Sequence, residues 1–220
     1  MKREDRYKAA LSYFQQQMPQ VATELHYGST FQLLVAVILS AQCTDKRINQ
    51  VTPSLFGRFP DAQTMAAAEP YEVYEYIKSV SYPNAKSQHL VLMARSLMEH
   101  YLGQVPQDMS QLMKLPGVGR KTANVVQAVA FGRNALAVDT HVYRVSHRLG
   151  LVASTDNTPL KVEQRLMRHI PADQVPLAHH WLLLHGRYVC TSLRPKCSEC
   201  GMAGFCPKLL KGSKLNSNVR

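Results

Sequence analysis

The sequence predicts an all-α protein whose helices are joined by short connections. Apolar residues recur about every three or four positions along most of the chain, which is the spacing of one helix face. Prolines and glycines stand before and after these segments, where they begin and end helices. Alternating apolar and polar residues, the pattern of strands, are absent. The clearest segment lies between Pro83 and Gly103, with Leu90, Ala94, Leu97 and Tyr101 at helical spacing.

The first third of the chain predicts three more helices and a short one. Residues 2–18 form an amphipathic segment that Pro19 follows. Residues 31–39 are apolar except for Gln32, which predicts a deeply buried helix capped by Ser29 or Thr30; a buried strand is the alternative for so short a run. Thr44 caps a third helix. A short helix is expected over residues 71–80.

The second half begins with a proline- and glycine-rich turn and continues as four helices. The turn is Leu115-Pro-Gly-Val-Gly, and a helix runs from Arg120 to Gly132. Asp139 caps the next helix. Prolines at positions 159 and 176 open the last two.

The charge of the chain indicates a polyanionic partner. The 220 residues suffice for one large domain or two small ones, and 26 Lys and Arg stand against 15 Asp and Glu, a net charge of +11. No apolar run reaches the roughly 18 residues of a membrane span, and the N-terminus lacks the apolar core of a signal peptide. We therefore expect an intracellular protein with reduced cysteines. The basic segment 207–220 is expected to be a mobile tail.

The turn at 115–119 is a candidate anion site. A glycine-rich turn that leads into a helix leaves backbone N–H groups free to bind phosphate. Lys121 lies in the first helical turn, where the helix dipole disfavours a cation and so favours the neutral, nucleophilic amine. Taken alone, this pattern also fits a solvated lysine beside a plain helix connection.

Four of the five cysteines indicate a metal site. Cys190, Cys197, Cys200 and Cys206 fall within 17 residues in the pattern C-x6-C-x2-C-x5-C. Thiolates on one short loop can converge on a metal, whereas two disulfides are unexpected inside a cell. Zinc and an iron–sulfur cluster both accept four thiolates. Three nearby histidines and Cys43 are expected to be structural; the histidines are His179, His180 and His185.

These motifs together resemble one family. Leu115-Pro-Gly-Val-Gly-Arg-Lys-Thr-Ala-Asn, Val138-Asp-Thr-His, His185-Gly-Arg-Tyr and the cysteine loop occur in a single order, as in endonuclease III. That family comprises base-excision DNA glycosylases of the helix-hairpin-helix superfamily. The resemblance covers about residues 5–207, nearly the whole chain.

The resemblance implies two helical domains with a DNA cleft between them. A helical-barrel domain would span residues 22–133 and end in the hairpin, and residues 1–21 with 134–220 would form a second domain. It also implies a [4Fe-4S] cluster on the four cysteines. This cluster would shape a basic loop that includes Arg194 and Lys196. The expected partner is duplex DNA with damaged bases or abasic sites, and a monomer in the bacterial cytosol or nucleoid is expected.

The resemblance further implies a bifunctional glycosylase and abasic-site lyase that removes oxidised pyrimidines. Lys121 would attack C1′ of a flipped-out nucleotide, form a Schiff base and nick the strand by β-elimination. Asp139 would assist, in addition to capping its helix. DNA contacts are implied for seven other positions besides Tyr82: Gln42, Leu115, Gly117, Val118, Gly119, Arg120 and His141.

Two positions opposite the hairpin decide how far the resemblance extends. Gln42 matches the glutamine that fills the gap left by the flipped nucleotide. Ser81-Tyr82 stands where many family members have Gly-Leu or Gly-Phe, so Tyr82 would be the side chain that wedges into the base stack. In having a tyrosine at this position the chain resembles the adenine glycosylase branch, but that branch typically lacks a lysine at position 121. Two alternatives to the bifunctional enzyme stay open. One is an adenine or mismatch glycosylase of the same superfamily, and the other is a non-catalytic, metal-stabilised DNA-binding module.

Overall fold

The structure is a computed structural model that describes residues 1–207, and the basic segment beyond Pro207 lies outside the described residues. Within that range it has eleven α-helices and no strand, which confirms the all-α prediction. No helix there is long and apolar enough to span a lipid bilayer. The helices are α1 (Arg3–Gln17), α2 (Thr30–Leu39), α3 (Asp45–Arg58), α4 (Ala62–Ala66), α5 (Pro70–Ile77), α6 (Pro83–Tyr101), α7 (Met109–Leu112), α8 (Arg120–Phe131), α9 (Thr140–Arg148), α10 (Pro159–His169) and α11 (Val175–Tyr188).

Several predicted helix starts agree with the structure because side-chain caps define them. The Ser29 hydroxyl accepts a hydrogen bond from the Gln32 N–H at 3.2 Å, and Thr44 caps α3 in the same way. Helix α6 begins at Pro83, as predicted. The sequence did not reveal α4 and α7, which have five and four residues and are too short to show a helical period.

The chain folds as two compact units. One comprises Thr23–Arg133, and the other joins Met1–Ala22 to the chain from Asn134 onward. The first unit is continuous in sequence, whereas the second contains both ends of the described chain.

Helix α2 forms the centre of the unit Thr23–Arg133. Its residues from Leu33 to Ala36 are fully buried, and it packs on α3, α6 and α8. Burying one such side chain stabilises a fold by about 1.5–3 kcal/mol. A helix satisfies its own backbone hydrogen bonds, so it can be apolar on every face and still lie in the core. The alternative of a buried strand is therefore wrong.

The other unit is built around the contact between α9 and α11, with α1 packed on α11. Gly186 allows this approach, because a Cβ there would lie 2.8 Å from the His141 Cβ. Trp181 is fully buried; its ring stacks on Phe14 at 6.0 Å, and its indole N–H donates to the Met18 carbonyl at 2.8 Å. The N-terminal helix is thus held by a residue near the other end of the chain.

Candidate active site and metal centre

The turn before α8 is closed by its own backbone. The Val118 N–H donates to the Leu115 carbonyl at 3.1 Å. Gly117 has φ +78°, and a Cβ at this position would lie 3.0 Å from the His89 Cβ. Glycine is therefore required at position 117 both by its conformation and by the close contact with α6.

The side chains of this turn do not all face solvent. Leu115 and Val118 are buried in the core of their unit, with exposures of 2% and 7%. Gly117 and Gly119 are exposed. The structure therefore leaves the backbone around the two glycines, rather than the two apolar side chains, as the surface that can meet a ligand.

Lys121 is exposed in the first turn of α8. Gly119 is the N-cap and has no side chain, so no side-chain cap covers the N–H groups of this helix end. Arg120, the first residue of the helix, is exposed as well. An amine, a guanidinium and uncapped N–H groups thus lie together at one helix start, which suits the binding of an anion.

In the same unit, the structure brings Gln42 and the Ser81-Tyr82 pair together. The Ser81 hydroxyl donates to the Gln42 carbonyl at 2.8 Å. Gln42 and Tyr82 both have left-handed backbone conformations, with φ of 56° and 57°. Tyr82 is 64% exposed although its ring is large and apolar.

Lys86 also belongs to this region, although it was not recognised from the sequence. Its side chain is buried, and its amine donates to the carbonyls of Leu39 and Ala41, both at 2.7 Å. Burial lowers the pKa of this amine, and the neighbouring Cys43 opposes that shift. Cys43 itself is only half-buried and packs against the core of its unit.

Asp139 and His141 lie at the start of α9, in the other unit. The Asp139 carboxylate accepts a hydrogen bond from the Val142 N–H at 2.8 Å, so its predicted capping role is confirmed. The His141 Nδ1 lies 3.1 Å from Nη2 of Arg144. Arg144 also donates to the carbonyls of Gly186 and Cys190, which ties α9 to α11 and to the start of the cysteine loop.

The four clustered cysteines line one cavity. The volume of this cavity is about 30 Å³. All five cysteines are free thiols, so the loop contains no disulfide. Short 3-10 turns carry this loop, Cys197–Glu199 and Ala203–Phe205.

The surroundings of the thiols fit a metal group. Burial raises the pKa of Cys200, and the charges of the other three cysteines add to that effect. Four thiolates this close need a positive group to offset their charge. His185 lies 3.7 Å from the Cys200 sulfur, and burial lowers its pKa to about 4, so the ring is neutral at pH 7.

Arg148 holds the loop and was not recognised from the sequence. Its guanidinium donates to the carbonyls of Thr191 and Ser192 at 2.6 and 2.8 Å and lies 3.4 Å from the Cys190 sulfur. These partners are 42–44 positions away along the chain, beyond the reach of any local pattern. His179, predicted to be structural, has its Nδ1 3.0 Å from the Ala137 carbonyl oxygen.

Comparisons with known proteins agree with this geometry. Residues 35–172 match the HhH-GPD superfamily of base excision DNA repair proteins, and the chain belongs to that superfamily. Within it, the chain is 46% identical to endonuclease III of Synechocystis over 86% of both chains. It is 43% identical to the Bacillus subtilis endonuclease III over 89% of both chains.

A solved structure gives the same result. The chain resembles an endonuclease III trapped as a covalent intermediate with DNA, with a TM-score of 0.91, 39% identity and coverage of 97% of this chain and all of that one. The predicted resemblance and the predicted class, a DNA glycosylase of base excision repair, are confirmed.

Proposed function

We propose that this DNA glycosylase is bifunctional, removing oxidised pyrimidines from duplex DNA and nicking the resulting abasic site through a Schiff base on Lys121. The observation that carries the proposal is the exposed Lys121 amine beside the uncapped start of α8. The similar solved structure is a covalent intermediate of endonuclease III with DNA, so at least that relative attaches to its substrate.

The chemistry requires a free amine next to a bound phosphate backbone. The Lys121 nitrogen attacks C1′ of the extruded nucleotide, and the bond from C1′ to the base breaks. Opening of the sugar then gives an iminium, and loss of a C2′ proton expels the 3′ phosphate. Asp139 assists by accepting a proton or by stabilising positive charge on the sugar.

The remaining polar groups bind DNA without reading its sequence. Phosphates are contacted by Arg120 and by backbone N–H groups around Gly117 and Gly119. Because the side chains of Leu115 and Val118 are buried, these two residues can contribute only their backbones. Gln42 and Tyr82 enter the duplex in place of the extruded nucleotide. His141 contributes from the start of α9.

The cysteine loop holds a [4Fe-4S] cluster on Cys190, Cys197, Cys200 and Cys206. Among the described residues, no group of three Cys, His, Asp or Glu side chains is placed to hold a metal ion, although the four thiols share one cavity. The resemblance of the C-x6-C-x2-C-x5-C pattern to that of endonuclease III supports the iron–sulfur cluster over a single zinc ion. The cluster supplies rigidity to the loop, and Arg194 and Lys196 are exposed on it for phosphate contact.

The two compact units correspond to the domains of this enzyme. We assign residues 22–133 to a helical-barrel domain, which the unit Thr23–Arg133 supports, and residues 1–21 with 134–220 to a cluster domain. The protein acts as a monomer in the bacterial cytosol or nucleoid, where duplex DNA is found.

Borohydride trapping tests the proposed chemistry. The protein is incubated with duplex that contains an oxidised pyrimidine, and borohydride reduces any iminium to a stable adduct. Wild type should give a covalent protein–DNA species, and Lys121→Ala should give none. Lys114→Ala, which removes another exposed lysine before the same turn, should retain the adduct.

The same assay discriminates against the alternatives. A duplex with adenine opposite a damaged purine serves as the second substrate. Excision of that adenine without an adduct would indicate the adenine glycosylase activity, and binding without any excision would indicate a DNA-binding module. The presence of Lys121 favours the lyase over both.

A further inference from the structure

We propose that Ser81 and Lys86 are positioning residues that fix Gln42 and Tyr82 as one preformed insertion pair before DNA binds. The inference rests on the proposed function, because it assumes that this pair enters the base stack. Neither residue needs to touch DNA for this role. Both act on the backbone that carries the pair.

Ser81 joins the two halves of the pair directly. Its hydroxyl donates to the Gln42 carbonyl at 2.8 Å across 39 positions of sequence, and Tyr82 is its neighbour in the chain. Where a glycine stands in place of Ser81, this hydrogen bond cannot form. The serine therefore couples the orientation of Gln42 to that of Tyr82 in a way that a glycine would not.

Lys86 fixes the base from which Gln42 projects. It lies in the first part of α6, and its amine binds the carbonyls of Leu39 and Ala41 at the C-terminal end of α2. Helix ends leave such carbonyls without intrahelical partners, and a cation there also complements the helix dipole. Since α6 starts immediately after Tyr82, one helix holds both sides of the pair.

The backbone of the pair is held in an uncommon conformation. Gln42 and Tyr82 have φ of 56° and 57°, a region that side chains other than glycine and asparagine rarely adopt. Such a conformation persists only when its surroundings determine it. The hydrogen bonds from Ser81 and Lys86 provide that determination at Gln42.

Two measurements on the intact, cluster-containing protein test this inference. The first is amide hydrogen exchange of peptides covering residues 40–44 in the DNA-free protein. The second is the fluorescence of 2-aminopurine placed opposite a tetrahydrofuran abasic site, which rises when side chains disturb the stack. Affinity for undamaged duplex is measured alongside.

Ser81→Ala should accelerate exchange in residues 40–44 and lower the insertion equilibrium about three- to tenfold, the loss expected for one hydrogen bond. Its affinity for undamaged duplex should stay near that of wild type. Ser81→Thr keeps a hydroxyl and should retain most of both signals. Lys86→Met should show larger effects than Ser81→Ala, because it removes two hydrogen bonds.

Ser87→Ala is the matched control. Ser87 lies six positions after Ser81 and is buried on α6, and its hydroxyl donates to the Asn84 carbonyl within its own helix. It should leave exchange in residues 40–44 unchanged. Equal effects of Ser87→Ala and Ser81→Ala would mean general destabilisation and would overturn the inference.

The remaining outcomes are also decisive. If the amides of residues 40–44 exchange in Ser81→Ala at the wild-type rate, the inference is overturned. Faster exchange in this variant with an unchanged fluorescence signal also overturns it. If wild type itself gives no fluorescence change on abasic DNA, the proposed insertion by Gln42 and Tyr82 fails. If borohydride trapping fails and wild type also gives no fluorescence change, the proposed function is contradicted as well.

Discussion

The turn at 115–119 and the cysteine loop at 190–206 are both short, irregular and glycine-containing, but different forces hold them. The turn is closed by its own backbone hydrogen bond, and its apolar side chains lie in the core. The loop also has backbone hydrogen bonds of its own, such as the one from the Ala203 N–H to the Cys200 carbonyl at 2.9 Å, but it is held in addition by the Arg148 guanidinium and lines a cavity with four thiols. A functional side chain on the turn can thus change without loss of shape, whereas we expect the shape of the loop to depend on the proposed cluster.

Loss of one cluster ligand should have the largest effect. Cys197→Ser should lose bound iron and destabilise its unit by more than about 4 kcal/mol, because metal binding and folding are coupled in such sites. Iron and sulfide content per chain and limited proteolysis measure this. Cys43→Ser, which lies far from the loop in sequence, should retain full iron; a Cys197→Ser protein with full iron would contradict the proposed ligand set.

A small change in the turn should cost less and act locally. Gly117→Ala should lower the free energy of unfolding by about 1–2 kcal/mol, from the positive φ and the crowding by His89, and should weaken DNA binding. Thermal unfolding and binding to abasic duplex measure both effects. Gly119→Ala is the control, since nothing lies within 4 Å of a Cβ there, and should cost no more than about 1 kcal/mol. Equal losses for the two variants would show that strain at Gly117 is not the cause.

The two regions should also differ in how charge removal affects them. Replacing both Arg194 and Lys196 by alanine should reduce the slope of log affinity against log salt by about two and leave the iron content unchanged. Titration of duplex binding at several salt concentrations gives the slope. An unchanged slope would remove the cysteine loop from the DNA contact surface and leave phosphate binding to the turn.

The smallest expected effect comes from comparing two residues with a strained backbone. One is proposed to enter the duplex, and the other lies at the end of a helix. Leu102, at the other end of α6, also has a positive φ, of 53°, and is 89% exposed. Asparagine tolerates this conformation, so Gln42→Asn and Leu102→Asn should each stabilise the fold by about 0.5–1 kcal/mol. Only Gln42→Asn should slow excision, because only Gln42 is proposed to enter the duplex. Chemical denaturation and single-turnover excision rates distinguish the two, and a slow Leu102→Asn enzyme would count against this distinction.

Local signals in the sequence were sufficient for nine of the eleven helices in the described residues, for the turn and for the cap at Asp139. Serine, threonine and aspartate caps act over three residues, so their spacing is visible in the chain. Lys86 reaches carbonyls 45 and 47 positions away, and Arg148 reaches a loop 42–44 positions away. No periodicity records such pairings. A lysine on the inner face of a helix, such as Lys86, is the one local sign that could have revealed them.

The burial of Trp181 against α1 has a consequence for synthesis of the chain on the ribosome. The Trp181 indole binds the Met18 carbonyl across 163 residues, so α1 leaves the ribosome first and finds its packing partner near the end. At about 5–20 residues per second, that interval is roughly 8–30 s. During this interval the continuous unit Thr23–Arg133 can complete its own core, while the apolar face of α1 stays exposed to solvent. A nascent chain stalled before Trp181 should therefore present α1 to chaperones or proteases although the enzyme's other unit is already folded.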